Sequence, residues 1–477
     1  MDLPRTKNSF EGWRALACLT SLFFLCPVLP ADAADSLVWS ARKDQVDAEI
    51  ESWPLPKVLE SIAAATGWRI YIEPDTEYTV TTRFHKLKPA DALRRLLGQL
   101  NFALLPQTNG PAKLFIYRSS VQEATQLIQL PPKSNSDGKS DKRIRNELIV
   151  TLKPGARESI DALAKRLGAK VVGRLDAMNA YRLRFDDETA AGNARAELEN
   201  DNEIGSIENN FTISPPARLE PLAMSSAPSF PLKPNLSPSG DQTIIGLIDT
   251  AVQRQGTAFK DFLLSGVSLY GDTQPPADQV THGTAMAETL LDGIARALRE
   301  SGDSSGKVSI SILPIDIYGG NENTSTFDVA RGIYEALHRH VNVVNLSLGG
   351  ENDSPLVRSL VQDGASQGVL FFAAAGNTPV TTPTYPAADP GAIAVTAGDS
   401  RGNIAPYANR GAFVQTIAPG GNIVHFQNQA WFGTGTSFST AWVGGWAAGS
   451  MAGSGQSPAQ IQSQTLARWG IPSNGKP

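Results

Sequence analysis

Five apolar runs constrain the second half of this chain more than any other feature in it. They are "TIIGLID" (243–249), "VSISILPIDI" (308–317), "VNVVNLSL" (341–348), "GVLFFAAAG" (368–376) and "AIAVTAG" (392–398). Near-continuous Val, Ile, Leu and Ala suit parallel strands that are covered on both faces. The segments "STFDVARGIYEALHRH" (325–340) and "PLVRSLVQDGASQG" (355–368) lie between them and carry the spacing of amphipathic helices. The predicted fold class is α/β, with a doubly wound, mostly parallel sheet over 241–477. Sites in such sheets lie beyond the carboxyl ends of the strands.

The 477 residues suggest about three domains at ~150 residues each. Two stretches read as linkers. "LPPKSNSDGKSDKR" (130–143) is polar, and "SPPARLEPLAMSSAPSFPLKPNLSPSGDQ" (214–242) is rich in Pro and Ser. The expected organisation is a targeting segment (1–33), a small α/β module (34–120), a linker (121–145), a compact unit (146–213), an exposed Pro/Ser-rich linker (214–240) and the large sheet domain (241–477). In the small module, "PLPKVLESIAAATG" (54–67) and "KPADALRRLLGQL" (88–100) predict helices. "RIYIEP", "VTTRFHKL", "FALLPQ" and "KLFIYR" predict strands. The unit 146–213 predicts the order β-α-β-β-α-β, a ferredoxin-like split βαβ pattern.

Arg5, Lys7 and Arg14 precede the apolar run "ALACLTSLFFLCPVLP" (15–30), and Ala31-Asp32-Ala33 fits a small-x-small cleavage site. This pattern predicts an export signal. Both cysteines, Cys18 and Cys26, lie within that run, so a processed chain would have neither disulfides nor a thiolate metal site. Net charge is −5, with no basic field to invite nucleic acid, and no run outside the signal approaches ~18 apolar residues. The expectation is an exported protein, periplasmic or secreted, with no span after signal removal.

Chemistry enters at the strand ends. Asp249 closes the first run, where a carboxylate is costly unless something polar meets it. His282 follows in "THGTAMAETL", Asn377 ends "FFAAAGN", and Ser437 stands in "GTGTSFSTAWVGG". Alone, Ser437 reads as a helix cap, Asn377 as a turn residue and Asp249 as a loop acid. Together, the order Asp, His, Asn, Ser resembles the subtilisin-like serine peptidases. "NLSLGG" (345–350), "TYPAA" (384–388) and "IAPGG" (417–421) also match segments of that family.

The resemblance implies an Asp249–His282–Ser437 triad, with the Ser437 N–H and the Asn377 amide as oxyanion donors. It makes Ser347, Leu348 and Gly349 a peptide-pairing edge, and Ala374, Ala375 and Gly376 a wall of the specificity pocket. The unit 146–213 resembles the inhibitor-type propeptide of the same family, so an intramolecular partner and a peptide or protein substrate are expected. The small module resembles the secretin and TonB receptor N-terminal domain, which implies an envelope protein partner for 34–120. No cofactor is required. Relatives often carry structural calcium, but no clustered carboxylate loop here supports one. Ala251, Ala285 and the pair Ala441-Trp442 depart from the family pattern. They leave one rival reading, a degenerate peptidase fold that binds without cutting. His338 and His340 fall at a predicted helix C-terminus, where cation–dipole contact explains them, His85 reads as a solvated strand residue, and His425 has no partner legible in sequence.

Overall fold

The computed structural model describes residues 36–40, 45–73, 76–106, 111–119, 121, 124, 126–128, 142–214, 219–222, 232–235, 242–271, 275, 277–399, 401–452 and 454–471. The signal segment with Cys18 and Cys26, and most of both linkers, lie outside the described residues. Among the described residues no helix is long and apolar enough to cross a membrane.

The five apolar runs form strands of one parallel sheet. Its order is Val267–Ser268, Ile310–Asp316, Thr243–Asp249, Val343–Leu346, Leu370–Ala374, Ala392–Ala397, Thr416–Ala418. The chain begins near the middle and winds both ways. The order therefore reverses between Thr243–Asp249 and Val343–Leu346, and the carboxyl ends of those two strands carry Asp249 and lead into Ser347.

One face of this sheet is covered by the helices Thr326–His338 and Pro355–Ser366. The other carries His282–Ser301 and Thr436–Met451, called here the histidine helix and the serine helix. Small residues crowd the serine helix, as a close approach to the sheet would require. The closest approach is instead to the histidine helix. A Cβ on Gly445 would meet the Leu290 carbonyl, and one on Gly293 would meet the Trp442 carbonyl. Against the sheet, a Cβ on Gly444 would stand 3.5 Å from Phe372, an ordinary contact.

The unit 146–213 has the predicted β-α-β-β-α-β order. Its strands align as Ile204–Ile213, Arg143–Leu152, Ala180–Arg184, Lys170–Leu175. Ile204–Ile213 also pairs with Thr324–Ser325 of the large domain, so the two units share a sheet edge.

The small module contains both predicted helices, Leu55–Thr66 and Pro89–Leu97, and a strand pair the sequence reading omitted, Ser36–Ser40 with Gln45–Pro54.

Both expected linkers are shorter than their composition implied. Gln126–Leu127 pairs with Arg69–Ile72, and the next unit's first strand starts at Arg143. Within 214–240, Leu222 and Leu232 are buried, Glu220–Pro221 joins one strand and Lys233–Pro234 another. Single apolar residues captured by distant strands override the Pro/Ser composition, and proline is tolerated because both segments are edge strands.

The contact between the two helices can be tested directly. Alanine is the better helix former by up to ~1 kcal/mol, but the Leu290 carbonyl has no rotamer through which to withdraw. Overlap should win. Gly445→Ala is expected to destabilise the fold by about 1–3 kcal/mol, seen as a lower Tm in thermal unfolding. An unchanged or higher Tm would contradict the close approach.

Candidate active site

Asp249 ends its strand with a fully buried carboxylate. One oxygen accepts from the Thr250 N–H at 2.7 Å, and both lie 2.9 Å from Nδ1 of His282. An ionised carboxylate only accepts hydrogen bonds, so Nδ1 carries the proton and Nε2 keeps its lone pair. His282 is the first residue of its helix. Thr281 caps that helix by accepting from the Thr284 N–H, as its position suggested, and donates to the Ala251 carbonyl at 2.6 Å. Gly283 is needed at the next position, because its N–H meets the Thr250 hydroxyl at 2.8 Å and a Cβ would strike the Thr250 carbonyl. Ala251, in place of the family's glycine, is not among the residues with positive φ, so the substitution strains nothing there.

Ser437 is the second residue of the serine helix rather than its cap. Gly435 occupies the cap position at φ 149°, where glycine is favoured, and no side chain of its own caps the helix. The capping acceptor comes from afar, since the Thr436 N–H donates to Oδ1 of Asn377 at 2.8 Å. That bond orients the amide and leaves Nδ2 as the donor, beside Gly435. The Ser437 N–H belongs to the first helical turn, whose amides lack an intrahelical carbonyl.

The Ser437 hydroxyl donates to the Ser347 carbonyl at 3.0 Å, and the Ser347 hydroxyl returns a bond to the Ser437 carbonyl at 2.9 Å. The imidazole of His282 stands edge-on to Phe438, the residue after Ser437, at 6.4 Å between ring centroids.

A cleft of about 220 Å³ opens here, lined by Ser347, Leu348, Gly349, Ala374, Gly376, Asn377 and Ser437. Ala375 lies behind that wall, fully buried, with its N–H on Val395 and its carbonyl accepting from Thr384. Trp446 lies away from the cleft, bonded to Glu300 and edge-on to Trp469. Among the described residues no three His, Cys, Asp or Glu side chains converge as a metal-binding group.

The unit 146–213 meets the large domain through polar groups that carry no signal in the sequence. The Glu208 carboxylate accepts from the Leu356 N–H and the Ser354 hydroxyl, and Asn210 accepts from the Phe327 N–H and the Thr326 hydroxyl. Two helices of the large domain are thus capped from another unit. Arg182 adds a 3.0 Å pair with Asp328. Burial pushes the Glu208 carboxyl up, while its bonds to Ser354 and Leu356 pull the other way. Beyond Ile213, Ser214 also lines the cleft, and its carbonyl accepts from Tyr318 at 3.4 Å.

His425 does have a partner. Glu288, on the histidine helix, accepts from both its ring nitrogen and its backbone N–H, at 2.9 and 2.8 Å. His425 lies on the hairpin Gly421–Phe426/Gln429–Thr434 that runs into the serine helix. The available signal was an acid on the mostly buried helix that begins at His282. His338 stacks on Tyr334 at its helix end.

Comparison with known proteins follows the same division of the chain. Residues 240–467 match the Subtilase family, and residues 129–210 match the Fervidolysin N-terminal prodomain. Thermitase of Thermoactinomyces vulgaris is 30% identical over 227 residues, 47% of this chain and 79% of thermitase. An alkaline protease of Shouchella clausii is 29% identical over 255 residues, 53% of this chain, and the match spans 64% of that protease's length. Among solved structures, fervidolysin from Fervidobacterium pennivorans aligns at 20% identity with a TM-score of 0.49. That alignment covers 65% of this chain and 55% of fervidolysin.

One turn beyond Glu288, half-buried Asp292 accepts from the Asn422 amide at 2.8 Å. Burial chiefly, then the neighbouring Glu288 charge, raise its carboxyl to about 7, against the lowering effects of Asn422, His425 and Arg299. Its folded value lies above the unfolded ~3.9, so its contribution to stability is complete below about pH 4 and lost as pH rises through 7. Asp292→Asn is therefore expected to leave Tm nearly unchanged near pH 4 and to raise it at pH 8. An equal shift at both pH values would contradict this environment.

Proposed function

The chain belongs to the subtilase family, and from that premise we propose that it is an exported serine endopeptidase made as an autoinhibited precursor. The observation that carries the reading is the buried Asp249–His282 pair, with both carboxylate oxygens 2.9 Å from Nδ1. It begins a helix packed backbone-to-backbone on the helix that presents Ser437.

In the mechanism the Ser437 hydroxyl first turns from the Ser347 carbonyl toward Nε2. His282 accepts its proton as the oxygen attacks the peptide carbonyl, and Asp249 stabilises the imidazolium that forms. The oxyanion is held by the Ser437 N–H and by Nδ2 of Asn377. His282 then protonates the leaving amine, and water repeats the sequence to release the acyl group. A substrate strand would pair along Ser347–Gly349, with Ala374 and Gly376 walling its side chain.

The unit 146–213 acts as the inhibitor. Its last strand feeds Ser214 into the cleft lined by Ser437, so a cut is expected between 215 and 219. Proline at 215 and 216 narrows it to bonds after Pro216. The signal segment supports export. The helix and strand order of the small module resembles the secretin and TonB receptor type, and the envelope partner proposed for 34–120 rests on that likeness alone.

A second reading, a fold that binds without cutting, draws on one observation, the Ser437 hydroxyl turned to a carbonyl instead of the ring. A fluorophosphonate probe separates the two, because only an activated serine reacts. Wild type should label, cleave casein and yield a mature N-terminus within 217–219. Ser437→Ala should do none of these while remaining folded. A folded, unlabelled, full-length wild type would sink the enzyme reading.

Asn377→Ala is expected to lower kcat by about 10²–10³ with little change in KM, a scale known for a subtilisin. A loss confined to KM would remove Asn377 from the oxyanion site.

A further inference from the structure

The short segment Leu219–Leu222 lies between two units that the sequence gives no reason to join. On one side Glu220 and Pro221 pair antiparallel with Phe432 and Trp431, on the strand that leads to the nucleophile, and the Leu222 N–H donates to the Ala430 carbonyl at 2.8 Å. On the other side stands the small N-terminal module. Leu222 is 2% exposed, in a cluster with Tyr71 and Phe115 of that module and Ala430 and Phe432 of the large domain. Tyr71 stacks on Phe115 at 5.0 Å, and Phe432 meets both rings edge-on at 4.9 and 5.3 Å.

The charges are matched as closely as the rings. The Glu220 carboxylate pairs with both Arg69 and Lys113 of the module. Lys113 is completely buried, and burial, with Arg69 beside it, lowers its pKa to about 7. An ammonium there is tolerated only while a carboxylate faces it, so the site selects an acid at that position.

We propose that the module 36–128 is a receptor for Leu219–Leu222, an acidic-then-apolar strand, and remains bound to the peptidase domain without a covalent link after the chain is cut upstream. The proposal rests on the preceding reading only for the position of that cut, which makes Leu219–Leu222 part of the mature N-terminus. The module is thereby a subunit of the mature protein rather than a discarded leader.

The test uses the full chain carrying Ser437→Ala, with the recognition sequence of a site-specific protease inserted in 130–141. After cutting, the fragment containing 36–128 is expected to co-elute with the remainder in gel filtration. Glu220→Lys, which sets a third cation against Arg69 and Lys113, is expected to weaken its retention at least tenfold, as is Leu222→Asp. Pairing Glu220→Lys with Lys113→Glu is expected to restore it, which mere unfolding of the segment would not allow. Separation of the fragment in the parent, or full retention in both single variants, would overturn the proposal. The added protease makes the cut, so a failed self-cleavage reading, scored by the wild-type N-terminus, is distinguished from failed docking.

Discussion

A base and a nucleophile on different helices are useful only if those helices cannot slide. Here the restraint is direct backbone contact, with Gly445 against the Leu290 carbonyl and Gly293 against the Trp442 carbonyl. No flexible side chain separates the two helices at these crossings, so their relative position has little freedom. His282 begins one helix and Ser437 lies in the first turn of the other. The Glu288–His425 bonds fix the same relation a second time, from the histidine helix to the hairpin feeding the serine helix. Helix-to-helix contact, more than helix-to-sheet contact, is what the small-residue composition secures.

The second organising theme is that units complete one another. The prodomain-like unit extends a strand edge and caps two helices with Glu208 and Asn210. The small module seals Leu222 and neutralises Glu220. Within the large domain itself the serine helix is likewise capped from a distance, by Asn377 of another loop. Each junction exchanges an orphan amide or a buried charge for a partner that the unit alone does not possess.

What could be read from the sequence followed from periodicity and from residue order. The apolar runs specified their strands, and the helix predicted over 54–67 does end at Gly67, because a cap is a local event. Gln45–Pro54 was missed although Val46, Ala48 and Ile50 alternate, since attention to long apolar runs passes over a half-buried strand. Leu222 and Leu232 were illegible, because one apolar residue among prolines has no period and its partners lie far along the chain. Glu208 and Asn210 were illegible for a related reason. The helices they cap already have local caps in Ser354 and Ser325, so nothing nearby announces a further acceptor. The order Asp, His, Asn, Ser pointed to Asp249 and His282, which do meet, but not to the rotamer of Ser437 or the burial of Ala375, which depend on packing.

The caps supplied by Glu208 and Asn210 mean that the large domain borrows two helix ends from another unit. Removing the prodomain-like unit would strip acceptors from the first turns of Thr326–His338 and Pro355–Ser366 at once. The Phe327 and Leu356 N–H groups would then be bare at the positive ends of their dipoles, while Ser325 and Ser354 would still hold the next amides. The two turns are held partly by loan, and the stability lent to them leaves with the unit that lends it.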